Sequence, residues 1–158
     1  MITVEVKDQE VLAILNRLIG GMKDMRPAMA NVAQALASES ERQFATQSGP
    51  LGGWPDLADS TKAARSKKGS WPGQILQVSA AGLAPSVQTA YGPNFASIGS
   101  NKPYSAIHMF GGSAGRGHAA KISARPYLPF NPQTQDLTGP AKETVIEVLE
   151  LYFSRLAT

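Results

Sequence analysis

Hydrophobic and polar positions along the chain change period several times, and each change marks an element. In MITVEVK, Ile2, Val4 and Val6 alternate with Thr3, Glu5 and Lys7, the two-residue period of a strand with one buried face. Asp8 then suits the cap of a helix in which Val11, Leu15, Leu18 and Met22 recur at three- and four-residue steps, with Gly20-Gly21 as its stop. Pro27 fits the first turn of a second helix, where its missing N–H costs nothing. Met29, Val32, Ala33, Leu36, Ser40 and Phe44 follow at helical spacing, and the helix is predicted to run to about Thr46. Asn31, Gln34, Ser38, Glu41 and Arg42 form its polar face.

Between Gln47 and Gly73 the periodicity lapses into a long loop excursion, with Trp54-Pro55 and Trp71-Pro72 bracketing a short predicted helix from Asp59 to Lys67. Loops of this length are usually functional or disordered, and two tryptophans imply docking. Beyond it, ILQV reads as a short strand. LAPSVQTAY places Leu83, Pro85, Val87, Thr89 and Tyr91 on one side of an edge or bulged strand, and FASIGS returns as its antiparallel partner after Gly92-Pro93-Asn94. YSAIHMF reads as a short helical turn after Pro103, ended by Gly111-Gly112, and SAGRGHAAK as a flexible basic loop without a core. The three prolines of ISARPYLPFNP restrict it to an extended or edge segment. Thr138-Gly139-Pro140 opens a last helix, where Val145, Leu149, Tyr152 and Leu156 line one face and Ile146 and Phe153 widen it.

Without alternating βα units, this order predicts one α+β domain over 1–158: a small antiparallel sheet packed by an N-terminal helix pair and a C-terminal helix, with long loops. Composition sharpens that picture in one respect. Charged residues make up 17% of the 158, against about 25% in ordinary globular domains, which suggests faces covered by other subunits. The net charge of +3 rests on few groups and gives little support to nucleic-acid binding. Cysteine is absent, which excludes disulfides and thiol chemistry. Neither a membrane-length apolar run nor a secretory leader is visible, so a soluble protein made in the cytoplasm is expected.

Candidate chemistry is sparse. His108 and His118 are too far apart for a helical metal pair, and the segment around them has no Asp or Glu. A nuclease needs a base and a carboxylate-held metal, yet Asp56 and Asp59 are the only upstream loop carboxylates. GGSAGRG lacks the Lys-Ser/Thr of a phosphate-binding loop, and no nucleophile elbow is present. His108 therefore reads as a ring packed beside Phe110 with a hydrogen bond to a backbone carbonyl, or as a subunit contact. Gly111 and Gly112 read as positive-φ positions that let another backbone approach. Arg125, extended before Pro126, is expected to pair with a carboxylate, either Glu143, Glu147 or Glu150 of its own last helix or one on a neighbouring subunit. Trp54 is a core anchor or an interface residue.

Taken in order, the MITVEV strand, the helix ending ERQFATQSGPLGGWPDL, STKAARSKKG, NKPYSAIHMFGG and ARPYLPF resemble the phage virion morphogenesis family, whose members are tail completion proteins of long-tailed phages, Mu-like ones included. The motif residues are Trp54, Tyr104, His108, Phe110, Gly111, Gly112, Arg125, Pro126 and Tyr127, to which Trp71 adds a pair particular to this chain. SAAG at 79–82, where members tend to have a Thr-Gly-x-Leu turn, and the short SAGRGHAAK depart from the pattern. The resemblance implies a non-catalytic, cofactor-free subunit of the virion's tail or neck region, assembled in the host cytoplasm. It implies a ring, a hexamer matching the tail tube, that contacts neck and tail tube proteins. Lys62, Arg65, Lys67, Lys68, Arg116 and Lys121 would face passing DNA with weak, sequence-independent contacts. A tail terminator and a nucleic-acid-binding accessory protein are the alternatives.

Overall fold

The computed structural model describes residues 9–157; the predicted strand from Ile2 to Val6 and the Asp8 cap lie outside them. Helix α1 spans Gln9–Lys23 and α2 spans Arg26–Thr46, with Pro27 in the first turn of α2 as its ring geometry favours. Gln47 closes α2 in the left-handed conformation (φ 49°), its N–H donating to the carbonyls of Gln43 and Phe44. The predicted inward positions of α2, from Val32 and Ala33 to Ser40 and Phe44, are buried, and its polar positions Asn31, Gln34, Ser38, Glu41 and Arg42 are exposed.

Gly20-Gly21 does not stop α1, which continues to Lys23. The glycine serves packing instead. A Cβ at Gly21 would lie 2.2 Å from Leu156 Cδ1, and the Gly21 carbonyl accepts a 3.1 Å hydrogen bond from the Tyr152 hydroxyl, so the missing side chain lets two helices meet. The second of them is α5, Gly139–Ala157, which begins where Gly139-Pro140 predicts.

The strands among the described residues form four antiparallel ribbons rather than one sheet: β1 (Ser48–Gly49) with β2 (Gly52–Gly53), β3 (Val87–Tyr91) with β4 (Ala96–Ser100), β5 (Gly112–Ala114) with β6 (Ala120–Ile122), and β7 (Phe130–Asn131) with β8 (Asp136–Leu137). The β3–β4 hairpin is the one expected from the Gly92-Pro93-Asn94 turn, in register from Val87↔Ser100 to Tyr91↔Ala96. Pro85 is not in it. It falls in a 3₁₀ turn at Ala84–Ser86, where its fixed φ fits and no ladder donor is needed. ILQV is not a strand either: Ile75 is buried among side chains from other segments, its N–H donating to the Gln47 side chain. SAGRGHAAK departs in the other direction, since positive φ at Gly115 and Gly117 folds it into the β5–β6 hairpin.

Two apolar clusters result. Val32 and Leu36 of α2 pack with Ala141, Val145 and Leu149 of α5 over Ala96 and Ile98 of β4. Phe44, Trp54, Ile75, Leu83, Met109 and Tyr127 form the second, which joins the end of α2 to the loop segments. The fold is α+β, with α3 (Asp59–Lys67) where predicted and α4 at Ser105–Phe110. Ile146, expected to widen the inner face of α5, is instead 54% exposed.

Candidate functional site

Trp54, His108, Gly111, Arg125, Pro126 and Tyr127, scattered over half the sequence, meet at one knot, whereas Phe110 is exposed and Trp71 lies apart beside Lys62. Trp54 is buried, its indole Nε1–H donates to the Pro126 carbonyl at 2.9 Å, and its ring meets Phe44 edge-on at 5.6 Å. Gly49 passes so close that a Cβ there would lie 2.4 Å from the same carbonyl oxygen. Tyr127 stacks at a tilt on Phe44, its carbonyl accepts from the Ser40 hydroxyl at 2.6 Å and from the Gln43 amide, and burial raises its phenol pKa. Ser40 and Gln43 are thus polar residues on the buried face of α2 because they satisfy the 126–128 backbone, which has no strand partner among the described residues.

Arg125 corrects an expectation. It pairs with none of Glu143, Glu147 and Glu150; its Nε donates to the Pro55 carbonyl and its Nη2 to that of Asp56, both at 2.8 Å. The cause is local, since the Trp54–Pro126 bond pins the 54–56 segment beside residue 125, and the fork of the guanidinium spans two successive carbonyls. The Arg125 N–H donates to the His108 carbonyl at 2.7 Å, tying α4 to the knot. Gly111 ends α4 at φ 74°, and a Cβ there would come within 3.0 Å of Ala124 N and 3.1 Å of Ile122 O, the backbone approach its sequence position implies.

The His108 ring lies against Tyr104 (5.9 Å, T-shaped) rather than Phe110. Helix geometry explains this, because residues four apart share a face and residues two apart do not. Nor does it bond a carbonyl: its buried Nδ1 has no hydrogen-bond partner among the described residues. Burial, and then the nearby Arg125 charge, lower its pKa, so the ring is neutral at physiological pH.

His108 lines a cleft of about 540 Å³ between α3, the 76–83 segment, α4 and β6. Arg65, Lys121 and Arg125 supply its positive charge, Asp56 its negative charge, and Leu57, Leu76, Val78, Leu83 and Ile122 its apolar wall. Of the six basic loop residues singled out by sequence, Arg65 and Lys121 line it. Lys62 instead pairs with Asp56 and sits 5.7 Å from the Trp71 ring centroid, while Lys67, Lys68 and Arg116 are exposed elsewhere. The Trp71–Pro72 bond is cis. Sequence reasoning missed Leu76, Val78 and Leu83 as cleft walls. Their signal is the apolar residues of ILQV, which reads as a short strand, and Leu83, which reads as the start of the edge strand LAPSVQTAY.

Two other surfaces expose apolar side chains among the described residues. On α1, Leu18 of the predicted apolar face is half-buried, but Val11, Leu15 and Met22 are exposed, as are Leu12 and Ile19, at 40–63% for these five. On the far side of the β3–β4 ribbon, the outer edge of β4 pairs with no strand among the described residues. It borders an apolar groove of about 470 Å³ with Ala106, Phe110, Leu128 and Phe130 along its walls. Among the described residues, no three His, Asp or Glu side chains gather in a metal-binding arrangement, and no helix is long and apolar enough to cross a membrane.

The chain belongs to the phage virion morphogenesis family, whose model matches residues 6–152. Among individual proteins, it is 31% identical to the Mu-like prophage FluMu G protein 2 of Haemophilus influenzae, over 99% of both chains. It is 41% identical to a candidate capsid assembly protein G of Escherichia phage Mu, over 61% of this chain and 64% of that one. A second Haemophilus influenzae relative, FluMu G protein 1, is 35% identical over 66% of this chain and 68% of its own. No solved structure matches the chain significantly.

Proposed function

We propose that this protein is a non-catalytic subunit that completes the phage tail or joins it to the head, and that it works as a closed ring. The observation that carries the reading is the pair of unlike apolar surfaces on one molecule: the exposed residues of α1 and the groove beside β4. A surface that matches itself gives a twofold dimer. Two different surfaces that match each other give head-to-tail contact, which either closes into a ring or grows into a filament. The α1 arm of one copy seats in the β4 groove of the next, burying Leu15, Ile19 and Met22 against Phe110 and Leu128.

Family membership supports an assembly role, and so does the name of the phage Mu relative. Six copies is the number that fits a tail tube of the kind the family resemblance implies. Lys67, Lys68 and Arg116, free of the cleft, are available for weak contact with DNA passing through such a ring.

Disrupting the reading frame in an inducible prophage and imaging the lysate tests this. Heads and tails that accumulate without forming complete particles are the expected outcome, restored by the protein in trans. Normal numbers of complete, infectious particles contradict it.

A further inference from the structure

We infer that the cleft between α3, the 76–83 segment, α4 and β6 is a binding site for an acidic chain segment carrying an apolar side chain, contributed by an adjoining virion protein. This inference rests on the assembly reading for the source of the segment alone; the chemistry of the cleft stands by itself.

Size comes first. A cleft of about 540 Å³ lies within the range of pockets that enclose a small ligand or a few side chains, and is far too small to admit a duplex. Charge comes second. Three cations line it against one carboxylate, and that carboxylate, Asp56, is already paired with Lys62 outside the cleft wall. The cations are also only partly used. Arg65 gives one Nη1–H to the Gln74 carbonyl, Arg125 gives Nε and Nη2 to the Pro55 and Asp56 carbonyls, and a guanidinium carries five N–H groups. Lys121 is exposed and has no partner among the described residues that would hold it back from a carboxylate at the rim.

The walls decide between an isolated anion and a chain segment. Leu76, Leu83 and Ile122 lie beside the cations, so the cleft offers an apolar floor and a charged rim together. A phosphate has nothing to place on that floor; a Glu or Asp flanked by a Leu or Phe fills both. The buried Nδ1 of His108, a residue on the wall of the cleft, has no hydrogen-bond partner among the described residues, so the wall keeps an unsatisfied polar group beside the cations. The separation from the β4 groove matters too: Tyr104, just before α4, and His108 line the cleft, whereas Ser105, Ala106, Met109 and Phe110 line the groove, so different faces of α4 serve the two surfaces.

The test uses the full chain and a fluorescein-labelled octapeptide of alternating Glu and Leu, with its Lys-Leu counterpart and a short DNA duplex as competing probes. Fluorescence polarisation should show salt-sensitive binding of the Glu-Leu peptide alone. Lys121→Glu, at an exposed site that leaves the fold intact, should weaken it at least about tenfold, the loss expected for one charge-assisted contact turned repulsive. In the same titration the ring proton resonances of His108 should move and those of His118, on the exposed β5–β6 hairpin, should not. Equal affinity for the Lys-Leu peptide, indifference to Lys121→Glu, or an unmoved His108 overturns the inference. Tighter binding of duplex DNA that depends on Lys121 overturns it in favour of a nucleic-acid site. A protein that forms its ring normally and ignores the acidic peptide sinks this inference and leaves the assembly reading standing.

Discussion

At the scale of single residues, Arg125 shows how the motif acts. Its side chain touches no carboxylate of α5; it holds the 55–56 backbone in place through two carbonyls while its own N–H holds α4. A lysine has one ammonium and cannot span both carbonyls, so Arg125→Lys should cost about 1–3 kcal/mol in denaturant unfolding despite keeping the charge. Equal unfolding midpoints for the two proteins would contradict the clamp. His108 supplies a second prediction. Its folded-state pKa is lowered by burial and by Arg125, so as pH falls through about 6.5 the unfolded chain takes up the proton first. Stability should therefore be full above that pH and decline toward pH 5, and His108→Gln should flatten this part of the profile. Asp24, Asp56 and Asp136, held low by hydrogen bonds to Arg26, Lys62 and Lys142, act only below about pH 4, outside that window.

At the scale of elements, α1 and α2 make opposite use of their apolar residues. Leu36 joins α2 to α5 and is almost fully buried, so Leu36→Ala should destabilise the subunit by about 2–5 kcal/mol. Ile19 on α1 is half exposed, and Ile19→Ala should change unfolding of the dissociated subunit by less than about 0.5 kcal/mol. The sequence showed both helices, but it could not show which apolar face the subunit itself covers, because periodicity reports a face and not its partner. The same limit explains Gly21: a glycine pair reads as a stop in one dimension and as room for Leu156 in three. Helices α2, α3 and α5 and the β3–β4 hairpin were legible because caps, prolines and a turn mark their ends. The β5–β6 hairpin was not, since its register depends on positive-φ glycines and not on an apolar alternation. The site was legible as a set of residues through family resemblance, and illegible as a geometry. Trp54 and Pro126 lie 72 positions apart, and nothing local announces that an indole N–H will meet that carbonyl.

At the scale of the molecule, the described residues leave two apolar surfaces of different shape exposed, and the low charged fraction of the chain fits a subunit whose surface is partly covered by others. Contact between two unlike surfaces makes a prediction that contact of one surface with itself does not. Leu15→Asp with Ile19→Asp removes the arm and keeps the groove, and Phe110→Asp with Ala106→Arg removes the groove and keeps the arm. Each variant alone should be monomeric with its unfolding little changed, because all four positions are exposed or line the groove rather than the core.

The most direct measurement is native mass spectrometry of the unaltered chain, of each variant, and of the two variants mixed. The account predicts a closed ring of six for the unaltered chain, monomers for each variant alone, and a one-to-one dimer in the mixture, where the one intact arm meets the one intact groove. An unaltered chain that stays monomeric at every concentration, or a mixture that yields no dimer, would contradict it.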